Sequence, residues 1–290
     1  DVRLPAAFEA PAGPPAGALA LDQWWTVYGD AELTALIEQA LARNPDIRTA
    51  RARLDEVKAQ RVSAVLQYLP RGDANASARE THTEQLSGTV ANIPGFSTSG
   101  RSENYAANFN VSWEIDPFGR AFYAVKSANA EVAAVRFAYE AARASIAAQT
   151  ADAWFQARGL AIQLGDAQET VRIQQSLYDT ATRRAEVGLA ATSEPDRVAG
   201  DLAQSKANVA ALEAQLQIQK RTILILAGRM VEPTASITAP PNVGLAPDVP
   251  AALPSELLQR RPDVRQAEQR VRSAAGQQRL ATLAHIGPSL

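Results

Sequence analysis

From residue 118 to residue 186 the chain has no proline, and after Gly119 only Gly159 and Gly165 interrupt residues that favour helix. One helix over that span, ~70 residues at ~1.5 Å rise, extends roughly 105 Å. The mean helix of globular proteins has only about 11–12 residues. A helix so long outruns any compact core, so it must lie along other helices. Ala157, Leu160, Leu164, Ala167, Val171, Gln174, Tyr178, Ala181 and Ala185 step by three and four, which is a heptad seam. Residues 187–193 then reverse the chain. Gly188 suits the position after a helix end, Ser193 the N-cap of the next helix, Pro195 its first turn and Asp196 its N3 position. From about Glu194 to Ala227 a second seam follows: Val198, Leu202, Ser205, Val209, Leu212, Leu216, Gln219, Ile223 and Leu226. Two seams joined by so short a turn predict an antiparallel coiled-coil hairpin.

Residues 70–116 have another character. Pro70, Gly72 and Asp73 break the helical pattern, and Ala74, Ala76 and Ala78 alternate with polar residues. A Ser-, Thr- and Gly-rich stretch runs from about Glu80 to Glu103. Over 104–115 the alternation becomes strict. Tyr105, Ala107, Phe109, Val111, Trp113 and Ile115 are apolar, and Asn104, Asn108, Asn110, Ser112 and Glu114 stand between them with Ala106. A period of two is a strand with one apolar and one polar face. Its ~12 residues suit a tilted membrane-barrel strand and equally the half-buried strand of a soluble sandwich. Tyr105 and Trp113 are roughly 26 Å apart along such a strand at ~3.3 Å per residue. Tilt shortens this to about 20 Å, near the separation of the two aromatic girdles of a membrane barrel. On that reading Phe109 faces lipid at mid-bilayer. Asp116 and Pro117 are suited to cap and open the long helix at about Phe118.

The remaining segments frame these two. Residues 1–20 carry Pro5, Pro11, Pro14 and Pro15 among Ala and Gly, an extended leader. Trp24, Trp25 and Tyr28 follow, either as a hydrophobic plug that pins the leader or as a ligand-stacking site. Asp30 is placed to cap a helix from Ala31 to about Arg43, with Leu33, Leu36, Ile37 and Ala40 on one face. Asn44 and Pro45 open another helix to about Leu66. Pro233, Pro240, Pro241, Pro247, Pro250 and Pro254 make the segment after the hairpin an irregular linker.

Beyond the linker the chain echoes its own start. Asn44-Pro45-Asp46-Ile47-Arg48-Thr49-Ala50 corresponds to Arg261-Pro262-Asp263-Val264-Arg265-Gln266-Ala267, 217 positions later. The register continues through Arg53 with Arg270 and Gln60 with Gln277. A period this long denotes a duplicated unit rather than a solenoid. The second copy stops at Leu290, where the first enters its strand region, so the expectation is one full unit and the start of another. Two shorter helices laid end to end would flank the long one, giving a rod with strands at one end and the hairpin tip at the other. A rod so thin needs neighbours, and oligomerisation is expected.

Composition excludes several functions. Lys+Arg is 29 and Asp+Glu 31, a net charge of −2, without the basic excess of a nucleic-acid binder. With no Cys there is no disulfide framework, thiolate zinc site or Cys nucleophile. His82 and His285 are the only two histidines, too few for a multi-histidine metal site. No apolar run reaches the ~20 residues of a spanning helix. Gly95-Phe96-Ser97-Thr98-Ser99-Gly100 is a near miss to a nucleophile elbow, read as a flexible polar loop. No catalytic residue, cofactor or metal is predicted, and the chain is read as a non-enzyme.

In their order along residues 21–290, several motifs together resemble one family. They are Trp24-Trp25, Tyr28 and Asp30, then Asn44-Pro45-Asp46-Ile47-Arg48, then Trp113-Glu114-Ile115-Asp116-Pro117-Phe118-Gly119-Arg120. Val187-Gly188-Leu189 and Arg260-Arg261-Pro262-Asp263-Val264-Arg265 complete the set. The sequence resembles the TolC-like outer-membrane efflux ducts, and more narrowly the NodT-type lipoproteins that serve resistance-nodulation-division pumps. The resemblance implies a mainly α fold with a small β part. Long antiparallel coiled-coil helices would form a periplasmic α-barrel, and the strands would join a trimeric transmembrane β-barrel. It implies a homotrimer that reaches from outer-membrane lipid into the periplasm. Its partners would be a periplasmic adaptor (membrane fusion) protein and an inner-membrane pump, with no nucleic acid. The Val-Gly-Leu turn implies an adaptor-docking tip at Val187, Gly188 and Leu189, with Arg184, Ala190, Thr192 and Ser193 as neighbours. Tyr105, Ala107, Phe109, Val111, Trp113 and Ile115 would face lipid.

The expected divisions are a leader (1–20), N-terminal helices (21–69), two transmembrane strands with an extracellular loop (70–116) and the helical hairpin (117–230). A Pro-rich linker (231–255) and the incomplete second repeat (256–290) follow. Family lipoproteins start at an acylated Cys, so an anchor just upstream of Asp1 is expected, and the strands and helices of a complete second repeat would follow Leu290. The rival reading is a soluble coiled-coil scaffold or a periplasmic adaptor. The hairpin alone would fit it, whereas the strand and the duplication would not. Detergent dependence separates the two.

Overall fold

The computed structural model describes residues 21–83, 100–113, 116, 119–245, 247 and 260–286. The near-miss loop at 95–99, Ile115, Pro117 and Phe118 lie outside the described residues. The chain divides into two units, Asp1–Val57 with Val132–Arg270, and Lys58–Glu131 with Val271–Leu290.

The first unit opens with a 3-10 helix, Leu21–Tyr28, and α1, Ala31–Arg43. Asp30 caps α1 as expected. Its Oδ1 accepts from the Glu32 and Leu33 N–H groups at 3.0 Å each, satisfying two of the donors a helix start leaves open. Asn44 ends α1 and opens α2, Pro45–Leu66, by accepting from the Asp46 N–H at 2.8 Å. The long helix is α3, Arg120–Glu186, and α4 is Glu194–Leu226. The last helix, α5, covers Pro262–Ile286. Pro45 and Pro262, the paired prolines of the repeat, each open their helix. Portions of α2, α3 and α5 fall in both units.

Every seam residue of α3 and α4 is buried or half-buried. The side-chain bonds Gln219 to Gln156 (2.9 Å) and Lys206 to Gln175 (3.4 Å) show the antiparallel register. The core of this unit joins Trp25, Leu33, Leu36 and Ile37 to Ala147, Ala151, Trp154 and Ala157 of α3 and to Leu216, Ile223 and Leu224 of α4. The small alanines of α3 let these helices approach closely, and burial of each Leu or Ile contributes about 1.5–3 kcal/mol. Trp25 is part of this core, which is the plug reading. Tyr28 stays at the rim, its ring 5.0 Å from that of Phe155.

The second unit holds the strands. β1, Arg71–Thr83, pairs antiparallel with β2, Gly100–Ser112, from Arg71 opposite Ser112 to Thr83 opposite Gly100. The strand expected over 104–115 is therefore shifted. It starts earlier because β1 continues through the polar Arg79–Thr83, which carries no alternation. It ends before Trp113 because the register would oppose that residue to Pro70, which has no N–H to donate. Trp113 leaves the ladder and its indole donates to the Tyr68 carbonyl at 3.3 Å. In the same unit α3 and α5 approach at Gly276. A Cβ there would lie 2.8 Å from the Ser127 Cβ, and the Ser127 hydroxyl donates to the Ser273 carbonyl at 3.0 Å.

Two helix starts differ from expectation. The long helix begins at Arg120 rather than Phe118, because Gly119 turns the chain at φ +75. Asp116 caps it from a distance, its Oδ2 accepting the Ala121 N–H at 2.6 Å. Ser193 does not cap α4. Its own backbone is already helical (φ −84, ψ −9) and its side chain makes no cap bond. Glu194 and Asp196 place negative charge on that first turn instead.

Candidate functional site

Two places among the described residues combine exposed apolar side chains with residues singled out from the sequence. The first is the tip between α3 and α4. The Gly188 N–H donates to the Ala185 carbonyl (3.1 Å) and the Leu189 N–H to the Arg184 carbonyl (2.8 Å). Gly188 sits at φ +74, so the pair is a Schellman closure with glycine in the left-handed position. In that motif the residue after the glycine normally packs back on its own helix. Here Leu189 is 71% exposed and Val187 68% exposed. Arg184, Thr192 and Ser193 are exposed beside them and Ala190 is half-buried. The turn requires Gly188, but it does not require two large aliphatic side chains in water.

The second surface is the strand pair. Opposed residues of an antiparallel pair share a face. The register therefore puts Gly72, Ala74, Ala76 and Ala78 on one face with Val111, Phe109, Ala107 and Tyr105. The Phe109 ring lies over Gly72, where a Cβ would meet it at 3.2 Å. The other face carries Arg71, Asp73, Asn75, Ser77 and Arg79 with Ser112, Asn110, Asn108, Ala106 and Asn104. Asp73 accepts from Asn75 (2.7 Å) and Asn110 (3.2 Å) across it. Towards the Thr83–Gly100 end the apolar face gives way to charge, where Arg101 bridges Glu80 (2.6 Å) and Glu103 (3.3 Å). Tyr105 is 74% and Phe109 72% exposed. Ala107, Val111 and Trp113 are exposed as well, Trp113 just past the strand end, while Ile115 is outside the described residues.

Of the predicted residues, the structure brings the tip set together on one turn, and four of the strand set onto one face. It also shows a cluster that pattern reading missed. Asp30 Oδ2 accepts the Trp154 indole N–H (2.9 Å) and Arg158 Nη1 (2.5 Å). Arg158 is the one charged residue buried among the described residues. Its other two nitrogens reach Asn242, one on the carbonyl and one on the side-chain oxygen. Burial pushes the Asp30 carboxyl up, but the Leu33 N–H, the Trp154 indole and the Arg158 charge outweigh it, so the carboxyl lies below its usual range. The available signal was an arginine four residues after a core tryptophan, on a helix face otherwise filled by alanine. Among the described residues no group of acidic and histidine side chains is arranged to hold a metal ion. No helix among them is long and apolar enough to cross a membrane.

A coiled-coil hairpin and an exposed strand pair in one chain match the fold of outer-membrane channels. The structure is similar to that of the outer-membrane channel OprN, with TM-score 0.77 and 27% identity over 97% of this chain and 63% of that one. By sequence the chain is 28% identical to the pyoverdine export outer membrane protein OpmQ of Pseudomonas putida, over 97% of this chain and 59% of OpmQ. It is 25% identical to nodulation protein T of Rhizobium leguminosarum bv. trifolii, over 96% and 58% of the two chains. The family pattern described as outer membrane efflux protein matches residues 36–229, and the chain belongs to that family. It spans about three-fifths of the length of these two relatives.

Proposed function

We propose that this chain is part of the protomer of an outer-membrane exit duct, which conducts small toxic substrates passively out of the cell as the last stage of a tripartite efflux pump. The observation that carries the reading is the two-faced strand pair. An isolated two-stranded hairpin is marginal in water, and this one exposes Tyr105, Phe109 and Val111 on one face and, among the described residues, has no further strand along either edge. A closed barrel in lipid satisfies both demands, since neighbouring strands pair the edges and hydrocarbon covers the apolar face. The polar face then lines water. The apolar stretch from Tyr105 to Val111 spans about 20 Å along the strand at ~3.3 Å per residue, which fits within the ~25 Å band of such barrels.

In this reading three copies close the barrel, and the helices extend into the periplasm. The tip at Arg184, Val187, Gly188, Leu189, Ala190, Thr192 and Ser193 meets a periplasmic adaptor protein, which links it to a resistance-nodulation-division pump. The exposed aliphatic pair beside the Schellman glycine supports contact with a partner. The duct itself carries out no reaction, and the pump sets the cargo. Native mass spectrometry of the natural full-length protein, extracted from outer membrane, tests this. A trimer that needs detergent is expected. A water-soluble monomer or dimer refutes the duct and returns the hairpin to a scaffold role.

A further inference from the structure

Residues 237–245 form a strap in the first unit that runs from Ile237 to Leu245. Ile237 is buried and Ala239 packs on the core, but Val243 and Leu245 beyond them are exposed. Burial therefore fixes the start of the strap and not its later part. That part is gripped by Arg158, whose planar fork takes both oxygens of Asn242 while its remaining nitrogen takes Asp30 Oδ2. The guanidinium also lies 5.7 Å from the Trp154 ring centroid. Asp30 accepts four donors at once, from Glu32, Leu33, Trp154 and Arg158. It is the N-cap of α1 and the counter-charge of Arg158 together.

We propose that Arg158 is a latch that holds the strap to α3, and that the Asp30 carboxylate is the element that keeps the latch closed. The strap contributes no charge of its own, since residues 237–245 are Ile, Thr, Ala, Pro, Pro, Asn, Val, Gly and Leu. The charged and titratable groups around the latch are thus Asp30 itself, Glu32 on α1, Tyr28 on the 3-10 helix and Arg158 on α3. Tyr28, Glu32, Trp154, Phe155, Val243 and Leu245 line a cavity of about 680 Å³ beside it. Opening the latch frees one wall of that cavity. Acid opens it, because a protonated Asp30 no longer orients the guanidinium towards Asn242. The inference concerns the first unit alone and stands whether or not the chain forms a duct.

Residues 1–290 hold no cysteine, so with any cysteine elsewhere in the full-length protein replaced, a spin label on Val243→Cys reports the strap and one on Glu38→Cys reports α1. Asp30→Asn is the decisive variant in the detergent-extracted full-length protein. Asn caps helices as well as Asp does, so α1 should be unaffected while the counter-charge is lost. At neutral pH the label at 243 should be restricted in the parent and become mobile in Asp30→Asn, with roughly a tenfold rise in the mobile-to-restricted ratio. The parent should reach the same mobility on acidification below the ordinary carboxylate range, and Asp30→Asn should show no acid step. Adding Asn242→Asp to Asp30→Asn should restore restriction by returning a carboxylate to Arg158. A label at 243 that stays restricted in Asp30→Asn overturns the latch. So does loosening of α1 in step with the strap, or failure of the Asn242→Asp rescue.

Discussion

Phe109→Arg is the most direct test of the barrel reading, with Asn108→Arg as its control one residue away. Phe109 faces Ala74 across the ladder and covers Gly72, on the face with Tyr105, Ala107 and Val111. Asn108 faces Asn75 on the opposite face, beside the hydrogen-bonded Asp73, Asn75 and Asn110. Both residues lie on β2 and both are exposed, so the two variants differ chiefly in which medium receives the guanidinium. An arginine on the lipid face near the midplane of a membrane barrel costs about 2–4 kcal/mol. Three symmetry-related copies raise this to roughly 6–12 kcal/mol per trimer, comparable with the whole stability of an ordinary domain. On the water-lined face the same residue costs little. The assay is outer-membrane assembly, read as heat-modifiable trimer in membrane fractions together with drug resistance in a strain lacking its own duct. Phe109→Arg should abolish both and Asn108→Arg should leave assembly intact. Equal assembly of the two variants, or failure of Asn108→Arg alone, would refute the assignment of faces.

The two Schellman glycines should respond unequally to alanine. Gly188 (φ +74) has nothing within 4 Å of its missing Cβ, whereas at Gly228 (φ +71) that atom would lie 2.9 Å from the Arg43 Cβ and 3.0 Å from the Arg43 carbonyl oxygen. Gly188→Ala should therefore cost only the left-handed penalty of about 1–2 kcal/mol. Gly228→Ala should add about 1–3 kcal/mol of overpacking, visible as a lower denaturation midpoint and faster amide exchange at the joint of α1 and α4. Leu189→Asp should leave trimer assembly unchanged and reduce pump-dependent resistance at least tenfold, and unaltered resistance would remove the tip from the partner interface. Trp154→Phe keeps most of the bulk but loses the donor to Asp30, so it should cost about 1 kcal/mol, against about 3–5 kcal/mol for Trp154→Ala; equal losses would mean that the indole bond rather than packing dominates. Because the folded Asp30 carboxyl titrates below its ordinary range, its contribution to stability is full above that range. It declines as pH falls through the folded value, a decline that Asp30→Asn should abolish in acid denaturation curves.

Much of this fold was legible because its helices are long and periodic. The seam from Ala157 to Ala185 and its partner from Val198 to Leu226 are local patterns, and each seam position came out buried or half-buried. Asp30 and Asn44 cap as their types suggest, since a cap needs only the next three residues. The tip was legible for the same reason, since Gly188 and the aliphatics beside it occupy one turn. Less was legible wherever a residue's state depends on a distant partner. The end of β2 is set by Pro70, more than forty positions earlier, and not by the alternation that continues to Ile115. Ser193 looks like a cap, but its backbone had already turned helical.

The sequence alone determined that the chain forms long paired helices, reverses at Gly188 and carries a strand with one apolar face. Period, proline and glycine decide these within a few turns of chain. Only the tertiary structure decided that the face of Phe109 is continued by Gly72, Ala74, Ala76 and Ala78, and that Asp30, Trp154, Arg158 and Asn242 meet. The alternation of Ala74, Ala76 and Ala78 is local, but which residues they face depends on the register of the partner strand. A partly buried ion pair between residues 128 positions apart leaves no local trace, because neither charge has its partner until the helices pack.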